Sequence, residues 1–379
     1  MRAPGSSAPT RRHGTGDEHA VTPLHLVVRL WLVRHCGTGA TPVRRSARVA
    51  IATLASLLFT SVTPPVASAS PLVFSQQGFQ PQSLTNEAPA LASYDNKLYA
   101  AWKGKDTFKV FYSAYGVGDC PLLPGGAPRL TPCWSQQAFV AGPWGTARTS
   151  EAPALVAYDG DLYAFWTGRH LPDYLYYSSY NGTSWSEQQT VDWAGAPSHG
   201  ISTQGPSVTV SDGDVDLAWV DGSVGSQRGG FFFVQFNGSS WAGPPSYEST
   251  IGSAPSLVSY GGEVYAFFIA TSGNVVSFMS YDGDNKWSTP EPVTASWGSA
   301  LTNQAPAVTV YDGDVYLAWK GETTHKIWYS DYNGSSWASQ QVVPQALTNQ
   351  GPALTTNGDD LYFAWKGNAN DKVGFLDAA

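Results

Sequence analysis

Apolar and polar positions alternate in short runs, and this pattern recurs six times along the chain. Each run meets a two-residue turn such as Asp-Gly, and a second alternating run follows. A period of two predicts β-strands, and Asp-Gly accepts the positive φ angles of a tight type I′ turn. The pattern therefore predicts six β-hairpins. They are "EAPALASYDNKLYAAWKG" (87–104), "EAPALVAYDGDLYAFWTG" (151–168), "QGPSVTVSDGDVDLAWVD" (204–221), "SAPSLVSYGGEVYAFFIA" (253–270), "QAPAVTVYDGDVYLAWKG" (304–321) and "QGPALTTNGDDLYFAWKG" (350–367).

A second hairpin follows in most repeats, with Asn-Gly at its turn and a tryptophan at the start of the outgoing strand, as in "IWYSDYNGSSWASQQVV" (327–343). Two hairpins form a four-stranded antiparallel unit, which is the size of one propeller blade. One blade cannot bury its apolar faces alone, so the repeats must pack radially. The sequence therefore predicts an all-β fold, a six-bladed β-propeller.

The two ends of the repeat region are predicted to complete one blade. After the sixth hairpin, "KVGFLDAA" supplies a third strand and the sequence stops. The missing fourth strand is expected at residues 74–79, because "FSQQGF" resembles the outer strands of other repeats. An N-terminal strand that pairs with the last blade would close the ring and leave no open sheet edge there.

The first 69 residues have a different character. Basic residues at 44–48 precede an apolar run and an A-x-A site at 67–69, which is typical of a secretory signal peptide. We expect 1–43 to be a non-structural extension or a misassigned start, 44–69 to be the signal, and 70–379 to be one propeller. The expected localisation is extracellular.

Charge limits the classes of partner. Residues 1–69 hold eight of the 21 Lys and Arg and two of the 29 Asp and Glu, so the remainder has a net charge of −14. Such an acidic surface disfavours nucleic acid and anionic membranes as partners. We expect no membrane insertion and a monomer.

Cysteine and histidine usage adds little chemistry. Cys120 and Cys133 flank a Pro- and Gly-rich insert, and in a secreted chain they are predicted to form a disulfide. The mature histidines show no H-x-x-x-H spacing, and the "DGD" triplets lack calcium-loop spacing and are interpreted as turns. No metal site and no cofactor are predicted.

Candidate binding residues repeat at two places that a propeller brings to one face. If strands a to d run outward from the axis, the b–c loops and the d–a links share the face of the axial funnel. Loops on such a face commonly carry function. The predicted ligand-binding residues at the ends of b strands and in the links are Trp102, Lys103, Trp166, Trp319, Lys320, Trp365, Lys366, Asn86, Asn303, Gln304, Asn349 and Gln350.

These positions also have structural interpretations. Tryptophans that recur in every repeat commonly pack between blades, and the lysines could be partners for loop carboxylates. Among the link residues, the position two before the anchor proline is Gln in three repeats and Ser in one, but it is Glu87 and Glu151 in adjacent blades. Two acids that face one funnel could act as acid and base on a glycosidic bond. Drift between Gln and Glu is the alternative explanation.

"LYYSSYNGTSWS", "IWYSDYNGSSWAS" and the "LY-x-A-W" strand give residues 70–379 a resemblance to secreted six-bladed propellers of the lectin and sialidase type. The resemblance implies sugar binding. Fungal fucose lectins of this type bind sugar between blades with Arg, Glu and an aromatic platform, but no Arg recurs at a repeat position here. The sialidase Asp-box S-x-D-x-G-x-x-W is also incomplete, because Tyr332 occupies its Asp position.

The sequence therefore favours a secreted, lectin-like carbohydrate-binding propeller with a glycan or polysaccharide as partner. The alternative is an extracellular polysaccharide hydrolase or lyase that uses Glu87 and Glu151 as its catalytic pair. The residues favour binding over catalysis.

Overall fold

Six antiparallel sheets surround one axis as the blades of a β-propeller, which confirms the predicted fold. The structure is a computed structural model, and it describes residues 72–116, 131–170, 173–193, 199–221, 230–243, 247–283 and 286–379. The inner strands of neighbouring blades contact one another around the axis. The predicted signal segment 44–69 and the extension 1–43 lie outside the described residues.

The strands follow one another blade by blade. The first strand of the described residues is β1 (Gly78–Phe79). Blade 1 contains β2 (Ala90–Tyr94), β3 (Lys97–Lys103), β4 (Val110–Gly116), β5 (Cys133–Trp134) and β6 (Ala138–Phe139). A link hairpin follows, with β7 (Ala141–Gly142) and β8 (Gly145–Thr146). Blade 2 contains β9 (Ala154–Tyr158), β10 (Asp161–Thr167), β11 (Leu175–Tyr180) and β12 (Gln189–Thr190). Blade 3 contains β13 (Ser207–Ser211), β14 (Asp214–Asp221), β15 (Gly230–Phe236), β16 (Trp241–Ala242) and β17 (Tyr247–Thr250).

The second half repeats this order. Blade 4 contains β18 (Ser256–Tyr260), β19 (Glu263–Ile269), β20 (Val276–Tyr281) and β21 (Glu291–Pro292). A second link hairpin contains β22 (Thr294–Ala295) and β23 (Gly298–Ser299). Blade 5 contains β24 (Ala307–Tyr311), β25 (Asp314–Lys320), β26 (Lys326–Tyr332) and β27 (Gln341–Leu347). Blade 6 contains β28 (Ala353–Asn357), β29 (Asp360–Lys366) and β30 (Val373–Ala378). In blades 1 and 3 the outer strand is in two pieces that pair with the same third strand.

The a–b turns have the backbone that their sequences predict. In blade 2, Asp159 has a φ of 47° and Gly160 a φ of 81°, and Asp312 and Gly313 of blade 5 have 49° and 83°. Positive φ at both central residues defines the type I′ turn, whose twist matches that of the flanking strands. The "DGD" triplets are therefore hairpin turns.

The N-terminal strand closes the ring. β1 pairs antiparallel with β30, with Gly78 opposite Phe375, and Phe74 forms a bridge with Ala378. Gly78 is required by close approach, because a Cβ atom there would lie 2.6 Å from the Phe375 ring. The segment before blade 1 thus supplies the fourth strand of blade 6, as the sequence predicts.

The core lies between blades. Each apolar cluster combines residues of neighbouring blades, as where Trp166 of blade 2 packs with Val110 and Ala101 of blade 1. Trp219 of blade 3 packs in the same way with Leu175 of blade 2. Burial between blades is what a repeat with two apolar faces requires.

Five b–c loops, those of blades 1, 2, 4, 5 and 6, are each attached to the link of the next blade by a backbone hydrogen bond. The Thr149 amide donates to the Phe108 carbonyl at 2.8 Å, and the Thr85 amide donates to the Asp371 carbonyl at 2.8 Å across the closure. The same contact recurs from Ser202 to Asp173, Thr302 to Asn274 and Thr348 to His325. In these five blades the described loops and links on the funnel face therefore form a connected layer, which is called the loop layer below.

The structure also bears on membrane-spanning helices, metal sites and the predicted disulfide. Within the described ranges no helix is long and apolar enough to cross a membrane, and no group of three or more His, Cys, Asp or Glu side chains could hold a metal ion. Cys120 lies outside the described residues, so its disulfide with Cys133 stays a prediction.

Candidate functional site

A cavity of about 330 Å³ lies on the propeller axis and is lined by all six blades. Its wall is the ring of links that precede the a strands. Each link contributes an anchor proline and the residue two positions before it. Those six residues are Glu87, Glu151, Gln204, Ser253, Gln304 and Gln350.

A repeated turn orients this ring. The Thr85 hydroxyl accepts a hydrogen bond from the Glu87 amide at 3.1 Å and donates to the Glu87 carbonyl at 3.0 Å. Thr348 holds Gln350 with the same two bonds, at 3.0 and 3.1 Å. Threonine hydroxyls commonly bind the backbone two residues on in this manner. The turn therefore presents the same position of every such blade to the axis, whichever side chain stands there.

The three predicted lysines lie beneath the links. Their side chains are 5% exposed or less, and each ammonium donates to a link asparagine of its own blade. The bonds join Lys103 to Asn86 at 3.1 Å, Lys320 to Asn303 at 2.8 Å and Lys366 to Asn349 at 2.9 Å. These lysines and asparagines therefore hold the links to the b strands. The structure brings them together as supports beneath the cavity wall, and of these six residues Asn303 also lines the cavity.

The four predicted tryptophans are buried between blades. Trp102, Trp166, Trp319 and Trp365 are at most 2% exposed, and Trp166 stacks on Trp144 of the preceding link. A sugar needs an accessible ring face, which these indoles do not present. The structure therefore corrects their assignment from a ligand platform to inter-blade packing.

Gln304 and Gln350 remain at the cavity, together with Asn303. The Gln350 amide nitrogen also donates to the Asn86 carbonyl at 2.7 Å and ties blade 6 to blade 1. These amides offer donors and acceptors toward the axis, which is what recognition of hydroxyl groups requires.

The two glutamates differ in their electrostatic surroundings. Lys103 Nζ lies 3.6 Å from Glu87 Oε1. Burial raises the pKa of Glu87, and Lys103 opposes that rise. Burial raises the pKa of Glu151 to about 7, and the negative charges of Glu87 and Asp173 add to the effect. Near neutral pH the cavity thus holds one carboxyl group with a cation partner and one that exchanges a proton.

An aromatic residue with unusual backbone geometry lies in the adjacent b–c loop. Phe108 has a φ of 58°, a left-handed conformation that is uncommon for a bulky residue. The Arg169 guanidinium of blade 2 lies 3.8 Å from the centre of its ring, and Lys103 Nζ lies 5.0 Å from it. These cation–π contacts join blades 1 and 2 beside the two glutamates.

Sequence reasoning missed this loop layer. The equivalent loop positions are of four different residue types, namely Phe108, Asp173, Asn274, His325 and Asp371. Their common feature is a backbone carbonyl, so no repeated letter could have revealed them. The stacking partners Trp144 and Trp297 could have been found, because "PWGTA" and "SWGSA" recur in two links.

Comparisons with known proteins agree with the fold. No family model and no curated protein matches this sequence. Solved structures do match. The Hadza microbial sialidase Hz136 has a TM-score of 0.58 at 11% identity, with 78% of this chain and 66% of the sialidase covered.

Two smaller proteins match over most of their length. Penicillium chrysogenum α-L-arabinanase, solved with arabinobiose, has a TM-score of 0.57 at 12% identity, with 81% of this chain and 98% of that chain covered. The Aleuria aurantia lectin, solved with Fucα1-6GlcNAc, has a TM-score of 0.52 at 13% identity, with 75% and 89% covered. This chain shares their propeller fold. At these identities the likeness concerns the fold alone.

Proposed function

We propose that this protein is a secreted, lectin-like propeller that binds a glycan in its axial cavity. The observation that supports this is the polar ring, in which five of the six equivalent link positions bring two carboxyl groups and three amides to one cavity. At the sixth position the Ser253 hydroxyl is bonded to the backbone of Ala254 and Ile269. Sugar-bound neighbours among the solved structures, with a fucosyl disaccharide and with arabinobiose, support a carbohydrate over another ligand class. The signal-like segment 44–69 supports secretion.

The cavity suits a sugar by its hydrogen-bonding groups. Amide side chains offer both donors and acceptors, carboxylates accept from hydroxyl groups, and backbone carbonyls of the links add acceptors. The anchor prolines and alanines between them give short apolar surfaces for sugar C–H groups. Binding by this ring needs no exposed tryptophan, which agrees with the burial of Trp102 and its equivalents.

A glycan screen tests the proposal. Purified protein at high density on a glycan array should bind a defined set of sugars, and Gln304→Ala should weaken that binding about tenfold by loss of hydrogen bonds to the ligand. Gln76→Ala is the matched control, because Gln76 is exposed on the N-terminal segment outside the cavity. Binding to no glycan, or equal loss in both variants, would refute the proposal.

One observation favours a second function, which is hydrolysis or elimination at a glycosidic bond. A carboxyl group with a pKa near 7, beside a second carboxyl group that a lysine helps to keep ionised, has the division of roles found in acid–base pairs. Glu151 would donate a proton to the leaving oxygen, and Glu87 would act as base or nucleophile.

Incubation with a panel of polysaccharides tests this second function. We expect Glu151→Gln and Glu87→Gln each to lower product formation at least 100-fold, since positioned acid–base groups contribute about that much or more. Activity that survives both substitutions would reject this pair, and binding without product would leave the lectin-like function.

A further inference from the structure

The axial cavity is electrically asymmetric. Of the six equivalent residues, the acidic ones are Glu87 and Glu151 on adjacent blades, and the other four are uncharged. The fold does not require acids there. Thr302 and Thr348 hold Gln304 and Gln350 with the same turn that Thr85 and Thr149 use for the two glutamates. Because Gln and Glu occupy the same turn in different blades, the negative charge is not needed to form that turn.

Glu87 has a cation partner within the protein. Lys103 Nζ lies 3.6 Å from its Oε1, and the same ammonium donates to Asn86 Oδ1 at 3.1 Å. Lys103 is 3% exposed, so its ammonium group is buried beneath the link and does not extend into the open cavity. The pair Lys103–Glu87 is close to neutral as a unit.

Glu151 has no such partner among the described residues. Blade 2 has Thr167 where blades 1, 5 and 6 have the lysine, and the Thr167 hydroxyl donates to the Gln204 carbonyl instead. The pKa of Glu151 is raised by the negative charges of Glu87 and Asp173. It is lowered by the positive charge of Lys103 and by a hydrogen bond from Ser150. Arg148, the nearest arginine in sequence, is exposed, and Arg169 has its guanidinium over the ring of Phe108. A half-buried carboxyl group without a cation thus faces a cavity large enough for a sugar ring.

A resident metal ion does not fit this arrangement. No group of three or more acidic, His or Cys side chains is assembled among the described residues, and the Lys103 ammonium occupies the position next to Glu87 that a hard cation would need. The polar ring of amides around the acid matches a ligand with several hydroxyl groups and one positive charge.

We infer that the cavity selects a sugar that carries a free ammonium group, such as a 2-amino-2-deoxyhexose, with that ammonium placed against Glu151. This inference rests on the proposed glycan binding and names its ligand class. The ammonium supplies the counter-charge that Lys103 supplies to Glu87, and the amides of the ring bind the hydroxyl groups. Sugar acids are disfavoured for the same reason, because their carboxylates would meet Glu151 and Glu87.

Three β-1,4-linked tetrasaccharides that differ only at C2 test the inference. Glucosamine, N-acetylglucosamine and glucose oligomers present an ammonium, an acetamide and a hydroxyl group on one backbone. At a pH of about 7 we expect the glucosamine oligomer to bind the purified protein about tenfold more tightly than the other two oligomers. The reason is that its ammonium group gains one charge-assisted hydrogen bond. Isothermal titration calorimetry gives the three dissociation constants.

Two variants separate a specific contact from attraction by the acidic surface. Glu151→Gln should abolish the tenfold preference, so that the glucosamine and glucose oligomers bind this variant with similar affinity. Asp312→Asn removes the same charge from an a–b turn on the opposite face, where Asn tolerates the positive φ, and the preference should persist. Equal affinity for the three oligomers, a preference that survives Glu151→Gln, or equal loss in both variants would overturn the inference. Binding of none of the three and of no other glycan would instead refute the proposed function.

Discussion

Glu151 is the residue whose surroundings differ most from those of its equivalents. Its carboxyl group shares a cavity with Glu87 and lies near Asp173, and blade 2 supplies no lysine. This arrangement destabilises the folded state when Glu151 is ionised, because the carboxylate loses hydrating water and lies near other negative charges. The equivalent position is Gln in three other blades, so the fold does not need an acid there. A destabilising acid at such a position is expected where a ligand or a reaction needs its charge or its proton.

The raised pKa makes stability depend on pH. Burial raises the pKa of Glu151 from its ordinary 4.5 to about 7, so between those values the folded state binds more protons than the unfolded state. The free energy of unfolding should therefore fall as pH rises from about 4.5 to 7. Glu151→Gln should flatten that slope and stabilise the protein at pH 8 by about 1–2 kcal/mol, an amount reduced by water in the open funnel.

Denaturant unfolding between pH 4 and 8 measures this effect. Glu187→Gln controls for the loss of one charge at an exposed outer position. A slope that the two variants change equally would contradict the assignment of the penalty to the cavity.

The buried tryptophans provide a second test at the residue scale. Trp102→Ala and Trp166→Ala each leave a large void between blades, and we expect each to lower the free energy of unfolding by about 3–5 kcal/mol. A role in sugar stacking would instead predict lost binding at nearly unchanged stability. Thermal unfolding beside glycan binding distinguishes the two roles.

At the scale of elements, the two hairpins of each repeat carry most of the fold. Their alternation and their Asp-Gly and Asn-Gly turns specify strands and register locally, so they could be predicted from residues alone. The outer strands are less regular, and in blades 1 and 3 they are divided. The links were predicted as a site, but their turn, with Thr85 holding Glu87, emerged only from the structure.

Removal of the closing strand tests the role of β1. Deletion of residues 70–79 leaves β30 as an unpaired edge and exposes the Phe375 ring. We expect a large fall in melting temperature and a tendency to aggregate, because an open edge strand can pair with other chains. An unchanged melting temperature would contradict ring closure by this strand.

At the scale of the whole molecule, the closure between blades 6 and 1 has electrostatic support as well. Asp371 of blade 6 accepts hydrogen bonds from Lys105 of blade 1 at 2.7 Å and from Lys366 of its own blade at 2.5 Å. The equivalent contact between blades 4 and 5 is an amide donating to a carboxylate, Asn274 to Glu322 at 2.7 Å. The loop layer therefore joins blades by different chemistry at these two junctions.

The closure pair should respond to acid. Its two lysines hold the pKa of Asp371 below its ordinary 3.8, so the pair stabilises the fold above that pH and loses its effect as pH falls through the lowered value. We expect Asp371→Asn to cost ~1 kcal/mol at neutral pH, as for a partly exposed ion pair, and almost nothing near pH 2. Melting temperatures of this variant and of Glu322→Gln at both pH values check the prediction, and an equal loss at both would contradict it.

The sequence by itself determined the blade count, the hairpin turns and the closure of the ring, because period, turn residues and strand echo are local properties of the chain. The tertiary structure decided which repeated residues face a neighbour and which face the axis. Trp102 and Lys103 are adjacent at the end of one strand, yet packing buries the first between blades and the link covers the second. The contrast between Glu87 and Glu151 also arises only in space, since it depends on where one buried lysine can reach and on two acids meeting across adjacent blades.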